Sequence, residues 1–251
     1  MIDLTLIGIG TGDPAQLTLA AIRAMNAADL ILLPRKGAEK SDLIAVRRQI
    51  CADVLTGATR VVAFDLPVRR AQGDYLEAVQ DWHDAIAHGW TAQIAAHLPE
   101  GGRLALLVWG DPSLYDSSLR IADRLRAQGM DLRVTVIPGI SSLQALTAAH
   151  AIPLNALADP VVITTGRQIR DHGWPAQADS VAVMLDGGGA FQAIDPAGVH
   201  IWWGAYLGMA QQALISGPLA QAGASIVAQR AALRARHGWI MDVYLMRRET
   251  K

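Results

Sequence analysis

Apolar positions follow two rhythms along this chain. Short apolar runs at Leu4–Ile9, Leu30–Leu33 and Leu104–Trp109 predict buried strands, Val61–Ala63 and Arg133–Ile137 predict two further strands, and most of the five are stopped by glycine or proline. Between them, apolar residues recur three or four apart. Leu17, Ala20, Ala21, Ala24 and Ala28 share one helical face, and helices are predicted at Asp42–Leu55, Tyr75–His97, Ser117–Gln128 and Ser141–Ala149. Strands alternating with helices to about residue 150 predict an α/β fold with a mostly parallel sheet.

The rhythm breaks at residues 152–160, where Pro153 and Pro160 interrupt it. This predicts an N-terminal α/β domain over 1–152, a linker over 153–159 and a second, smaller α/β domain over 160–251. The second domain has strand patterns at Val161–Thr164, Val181–Leu185, Val199–Trp203 and Ile240–Leu245, and a long helical pattern at Leu219–Arg236.

Composition narrows the field. The chain is 51% hydrophobic and 18% charged, with net charge −1, which argues against a nucleic-acid partner held by a broad basic surface. The lone Cys51 allows no intrachain disulfide, the seven histidines form no metal-binding motif, and no apolar run approaches the length of about 18 residues that spans a bilayer. The acidic Met1-Ile2-Asp3 start is unlike a signal peptide. These features predict a cytoplasmic protein with no resident metal and no membrane partner.

Three loops at strand ends carry candidate chemistry. Gly8-Ile9-Gly10-Thr11-Gly12-Asp13-Pro14 could bring backbone N–H groups close to a ligand, or simply turn the chain. A dinucleotide loop needs a further glycine where Asp13 stands, and an acid where Pro34-Arg35-Lys36 follows the second strand. An NAD(P)-dependent oxidoreductase, with Arg35 on a phosphate, stays open at this point. In Trp109-Gly110-Asp111-Pro112-Ser113-Leu114-Tyr115, Asp111 could accept from a ribose or amino group, or cap the next helix. In Pro138-Gly139-Ile140-Ser141-Ser142, either serine could cap a helix, and the pattern is not a hydrolase elbow.

The order and spacing of these loops, followed by Ile152-Pro153-Leu154, resemble the tetrapyrrole methylase family over the whole chain. Thr11 departs from the proline common there. The resemblance implies two α/β domains with a cofactor cleft between them, S-adenosyl-L-methionine as methyl donor and S-adenosyl-L-homocysteine as product. It also implies a small-molecule tetrapyrrole substrate and a homodimer. The cofactor contacts it implies are Gly10, Thr11, Gly110, Asp111, Leu114, Ser141 and Ser142 in the first domain, with Met184 and Ala205 in the second. For the last two, ordinary core packing is the alternative.

Asp81-Trp82-His83-Asp84 and the stretches Gly173–Gly187, Ile201–Gly208 and Gly238–Arg248 resemble one branch of the family. Its members methylate precorrin-5 at C-1 and release acetate, in cobalamin biosynthesis; methylation of another tetrapyrrole carbon is the near alternative. Arg35 and Lys36, after the second strand, are candidates to hold substrate carboxylates. Asp13 and His83 are candidate bases for deacetylation, and His83 could equally be a packed helix residue.

Overall fold

The computed structural model describes residues 1–35, 41–67 and 75–248, with the backbone alone at 41, 42, 75 and 76. Its contacts divide the chain into Met1–Ser141 and Ser142–Lys251.

The first unit alternates strands and helices: β1 (Ile2–Gly8), α1 (Leu19–Ala27), β2 (Leu30–Arg35), α2 (Ser41–Val54), β3 (Arg60–Asp65), α3 (Tyr75–His97), β4 (Gly102–Val108), α4 (Ser118–Ala127) and β5 (Leu132–Ile137). All strand pairs are parallel, in the order β3-β2-β4-β1-β5. Side chains alternate across the sheet, so its apolar runs feed two cores. Ile7, Ile9, Ile31 and Leu33 pack with Ala21 and Met25 of α1 and Ile50 and Cys51 of α2. Leu4, Leu6, Leu30 and Leu32 pack on the other face with Ile86, Trp90 and Ile94 of α3 and Ile121 and Leu125 of α4. Burying each such side chain contributes about 1.5–3 kcal/mol.

This strand order locates a crevice. From β1 the chain turns through α1 on one face toward β2; from the adjacent β4 it turns through α4 on the opposite face toward β5. Neighbouring strands whose connections leave to opposite faces are a favoured place for a binding crevice beyond their carboxyl ends. The Gly8–Asp13 and Trp109–Tyr115 loops leave the sheet at this point.

The second unit contains α5 (Ser142–His150), β6 (Val161–Thr165), α6 (Gly166–His172), β7 (Ser180–Met184), β8 (Val199–Ala205), β9 (Ala213–Pro218), α7 (Leu219–His237) and β10 (Asp242–Arg248). Its sheet runs β6-β7-β10-β8-β9; only β6 and β7 are parallel. Helix α5 packs on β8 and β10, and His150 Nε2 lies 3.0 Å from the Trp203 carbonyl. The division therefore falls ahead of the proline-bracketed stretch, where the Pro153 and Leu154 carbonyls accept from Arg247 Nη2 at 3.0 and 3.1 Å.

Candidate cofactor site

The loops after β1, β4 and β5 are packed backbone to backbone. A Cβ on Gly139 would lie 2.3 Å from the Gly110 carbonyl oxygen, and one on Gly8 would lie 2.5 Å from Gly139 N. Gly10 and Gly110 (φ +75° and +69°) exchange N–H···O bonds, Gly110 N to Gly10 O at 2.8 Å and Gly10 N to Gly110 O at 3.4 Å. These glycines are explained by loop-to-loop packing beyond the carboxyl ends of the strands.

Asp111 ties the arrangement together. Its Oδ1 accepts from Ser113 N at 2.8 Å and from the Ser113 hydroxyl, and its Oδ2 accepts from Gly139 N at 2.9 Å. Partial burial pushes its pKa up, but the bonds from Ser113 and Gly139 outweigh this and hold it below the usual carboxylate value. Asp111 caps no helix, since α4 begins at Ser118 with Ser117 as its cap residue. A carboxylate offers about four acceptor positions, so three internal bonds leave room for one from a ligand. Thr11 is buried, its N–H and hydroxyl both donating to Gln16 Oε1 at 3.0 Å. Asp13 Oδ1 accepts from Ala15 N at 2.8 Å and opens a 3-10 turn at Pro14–Gln16. Ser141 is buried and Ser142 starts α5.

Backbone conformation is unusual beside three of the candidate positions. Among the described residues, positive φ in non-glycine residues occurs at Tyr115, Ala151, Ala158, Leu185 and Tyr206. Three of these directly follow Leu114, Met184 and Ala205. An L-residue pays about 1–2 kcal/mol for this left-handed geometry, and such strain concentrates at ligand-binding positions. Leu114 is half-buried, with its N–H to the Asp111 carbonyl at 3.3 Å. Met184 closes β7 half-buried, and Leu185 turns outward, 66% exposed. Ala205 ends β8 fully buried, paired with Asp242 and Ala213.

A buried polar network fixes the two strand ends of the second unit. Asp186, next to Leu185, accepts from Gly188, Gly189 and Ala190 N–H groups, from the Tyr244 hydroxyl and from Arg170. Arg230, buried in α7, donates to the Asp186 carbonyl at 2.9 Å and to the Asp242 carboxylate, which also accepts from Trp203 Nε1 at 2.7 Å. The Tyr206 hydroxyl donates to the Trp239 carbonyl.

The remaining candidates are placed differently. His83 lies on the buried face of α3, 5% exposed, with Nε2 2.9 Å from Ser117 Oγ. Burial, aided by Arg124 and Arg120, lowers its pKa, which favours the neutral imidazole. Arg35 is paired bidentately with Asp65, Nε to Oδ1 at 2.9 Å and Nη2 to Oδ2 at 3.0 Å, on an exposed edge. Lys36 lies outside the described residues. Among the described residues no cluster of histidine, cysteine and acidic side chains could hold a metal. Gln16 and the left-handed Tyr115, Leu185 and Tyr206 are features that sequence reasoning missed, because nothing in residue type marks them.

Comparison with known proteins adds the chemistry. The model for tetrapyrrole (corrin/porphyrin) methylases matches residues 3–223. A curated relative from a Sinorhizobium species, "Precorrin-6A synthase [deacetylating]", is 47% identical, covering 99% of this chain and 96% of its own. A precorrin-2 C(20)-methyltransferase from the same source is 28% identical over 72% of this chain and 71% of its own. Among solved structures, a cobalamin synthesis related protein (CobF) from Corynebacterium diphtheriae superposes with TM-score 0.85 at 39% identity, covering all of both chains. A uroporphyrin-III C-methyl transferase from Thermus thermophilus, complexed with S-adenyl homocysteine, shares the fold at TM-score 0.58 and 18% identity, covering 97% of this chain and 91% of its own. With the family model and a full-length relative in agreement, the chain belongs to the tetrapyrrole methylases, a family of S-adenosylmethionine-dependent methyltransferases.

Proposed function

We propose that this protein transfers a methyl group from S-adenosylmethionine to C-1 of precorrin-5 and releases the acetyl group as acetate, giving precorrin-6A for cobalamin biosynthesis. The observation that carries this is the 47% identity to a deacetylating precorrin-6A synthase across 99% of the chain.

The donor is assigned to Gly10, Thr11, Gly110, Asp111, Leu114, Ser141 and Ser142, and to Met184 and Ala205 of the second unit. Support comes from the diverging strands, the one acceptor position left on Asp111 and the left-handed residues that follow Leu114, Met184 and Ala205. The sulfonium donor supplies a methyl group already activated for in-line displacement, so the chain's task is to position the reactants and exclude water. For deacetylation, a base must take a proton from the water that attacks the acetyl carbonyl. Asp13 suits this better than His83: its Oδ2 has no partner among the described residues, whereas His83 is buried against Ser117. Arg35 and Lys36 remain candidates for the substrate carboxylates, although Arg35 is already paired with Asp65.

Incubation with methyl-labelled S-adenosylmethionine and precorrin-5 tests the reading. Labelled product with free acetate supports it; label without acetate favours methylation at another carbon. In Asp13→Asn, loss of acetate with methyl transfer retained would mark the base, and equal loss of both would reject it. The family resemblance also supports a homodimer, to be checked by light scattering, and the free, buried Cys51 suits a reducing cytoplasm. No described helix is long and apolar enough to cross a membrane.

A further inference from the structure

Arg47 occupies the wedge where β2 parts from β4. The two strands pair only as far as Leu32 and Leu106, whereas β1 stays paired with β4 to Val108. The Val108 carbonyl accepts from Ile9 N on the β1 side. Its neighbour Leu107 therefore points its carbonyl toward the wedge, where it accepts from Arg47 Nε at 3.1 Å. Arg47 Nη1 donates to the Leu43 carbonyl of its own helix at 3.2 Å. The guanidinium carbon lies 5.6 Å from the centroid of Trp109, which precedes Gly110. Asp116, at the far end of the same loop, is near enough for its charge to favour the cation. The side chain thus reaches from α2, on one face of the sheet, to the loop that leads to α4 on the other, along the carboxyl edge of the strands.

This cation has no contact anion among the described residues. Among the described residues Arg47 takes part in no ion pair, and its Nη2 has no acceptor. Burial draws its pKa down to about 10, so it stays charged at neutral pH while carrying a desolvation cost. Arg35 is the opposite case: exposed, and already neutralised by Asp65. A planar guanidinium whose Nη2 is left without an acceptor among the described residues, at the carboxyl end of the strands, is shaped for a carboxylate.

We propose that Arg47 anchors one peripheral carboxylate of the tetrapyrrole substrate through Nη2, beside the Trp109–Asp116 loop. This inference rests on the methyltransferase reading above.

The test uses the full-length protein, Arg47→Gln and Arg47→Lys. Calorimetric titration with S-adenosylhomocysteine reads the donor site, and steady-state kinetics with precorrin-5 read the substrate site. Arg47→Gln is expected to raise the KM for precorrin-5 about tenfold to a hundredfold and to leave S-adenosylhomocysteine affinity within about twofold. Arg47→Lys keeps the charge and the stem, so it should fold and recover part of the loss. The wild-type KM should rise with salt more steeply than that of Arg47→Gln. An unchanged KM in both variants overturns the proposal. So does a parallel loss of S-adenosylhomocysteine affinity, which would make Arg47 a support for the Trp109–Asp116 loop only. If the wild-type protein itself neither binds S-adenosylhomocysteine nor methylates precorrin-5, the methyltransferase reading fails, and this proposal with it.

Discussion

Asp111 Oδ2 accepts the Gly139 N–H at 2.9 Å, so a side chain of the loop after β4 clamps the loop after β5. Its other oxygen accepts twice from Ser113 and shapes its own loop. The residue most suggestive of a ligand contact thus first holds the loops after β4 and β5 in register.

In Asp111→Asn, the amide nitrogen cannot accept from both of these partners as a carboxylate does. The variant should lose about 1–3 kcal/mol of stability and bind S-adenosylhomocysteine more weakly, read by urea denaturation and calorimetry. The folded pKa of Asp111 is lowered, so its stabilisation is present above the unfolded value of about 4 and is lost as pH falls through the folded value. The gap between wild type and variant should therefore close only in acid, below about pH 4.

One substitution should have opposite signs at two glycines. Gly139→Ala places a Cβ 2.3 Å from the Gly110 carbonyl oxygen, so backbone must move. The expected loss is at least about 1–3 kcal/mol, with weaker donor binding. Gly89→Ala, within α3, meets nothing within 4 Å. It should stabilise the fold by about 0.5–1 kcal/mol, since alanine is the better helix former. Thermal melts of the two variants check both signs.

His83 should make the fold sensitive to mild acid. Burial, with Arg124 and Arg120, keeps its folded pKa below the unfolded value of about 6.5. The unfolded chain therefore takes up the proton first as pH drops, and stability that is full above about pH 6.5 declines below it. His83→Gln retains a partner for Ser117 but cannot titrate. Denaturation midpoints between about pH 5 and 7 should fall less in the variant than in the wild type.

Arg230→Met would leave the Asp242 carboxylate buried without its cation and the Asp186 carbonyl without its donor. Removing one partner of a buried pair costs about 3–5 kcal/mol. Chemical denaturation should show a loss on that scale, and Arg230→Met combined with Asp242→Asn should recover part of it.

Much of the fold was legible in the chain. Two-sided burial writes most of β2 and β4 as apolar runs, and α3 spans Tyr75–His97 as its periodicity predicts. β9 escaped notice because this edge strand only half-buries alternate residues and ends in Gly217-Pro218. α6 escaped because it is one short stretch opening on a glycine. The apolar spacing of Tyr75, Val79, Trp82 and Ile86 predicts one face of α3, but the buried line runs through His83, Ile86, Trp90 and Ile94. That small rotation puts His83 in the core.

The sequence by itself determined the strand–loop order and the family to which the Gly-Asp-Pro and Pro-Gly-Ile-Ser-Ser loops belong, because local periodicity and motif spacing are properties of one stretch of chain. Tertiary structure alone decided that Asp111 clamps Gly139, that Leu185 and Tyr206 turn left-handed, and that Arg35 is neutralised by Asp65 while Arg47 meets no anion among the described residues. Each of these depends on which distant groups meet, and charge and strain are set by neighbours in space.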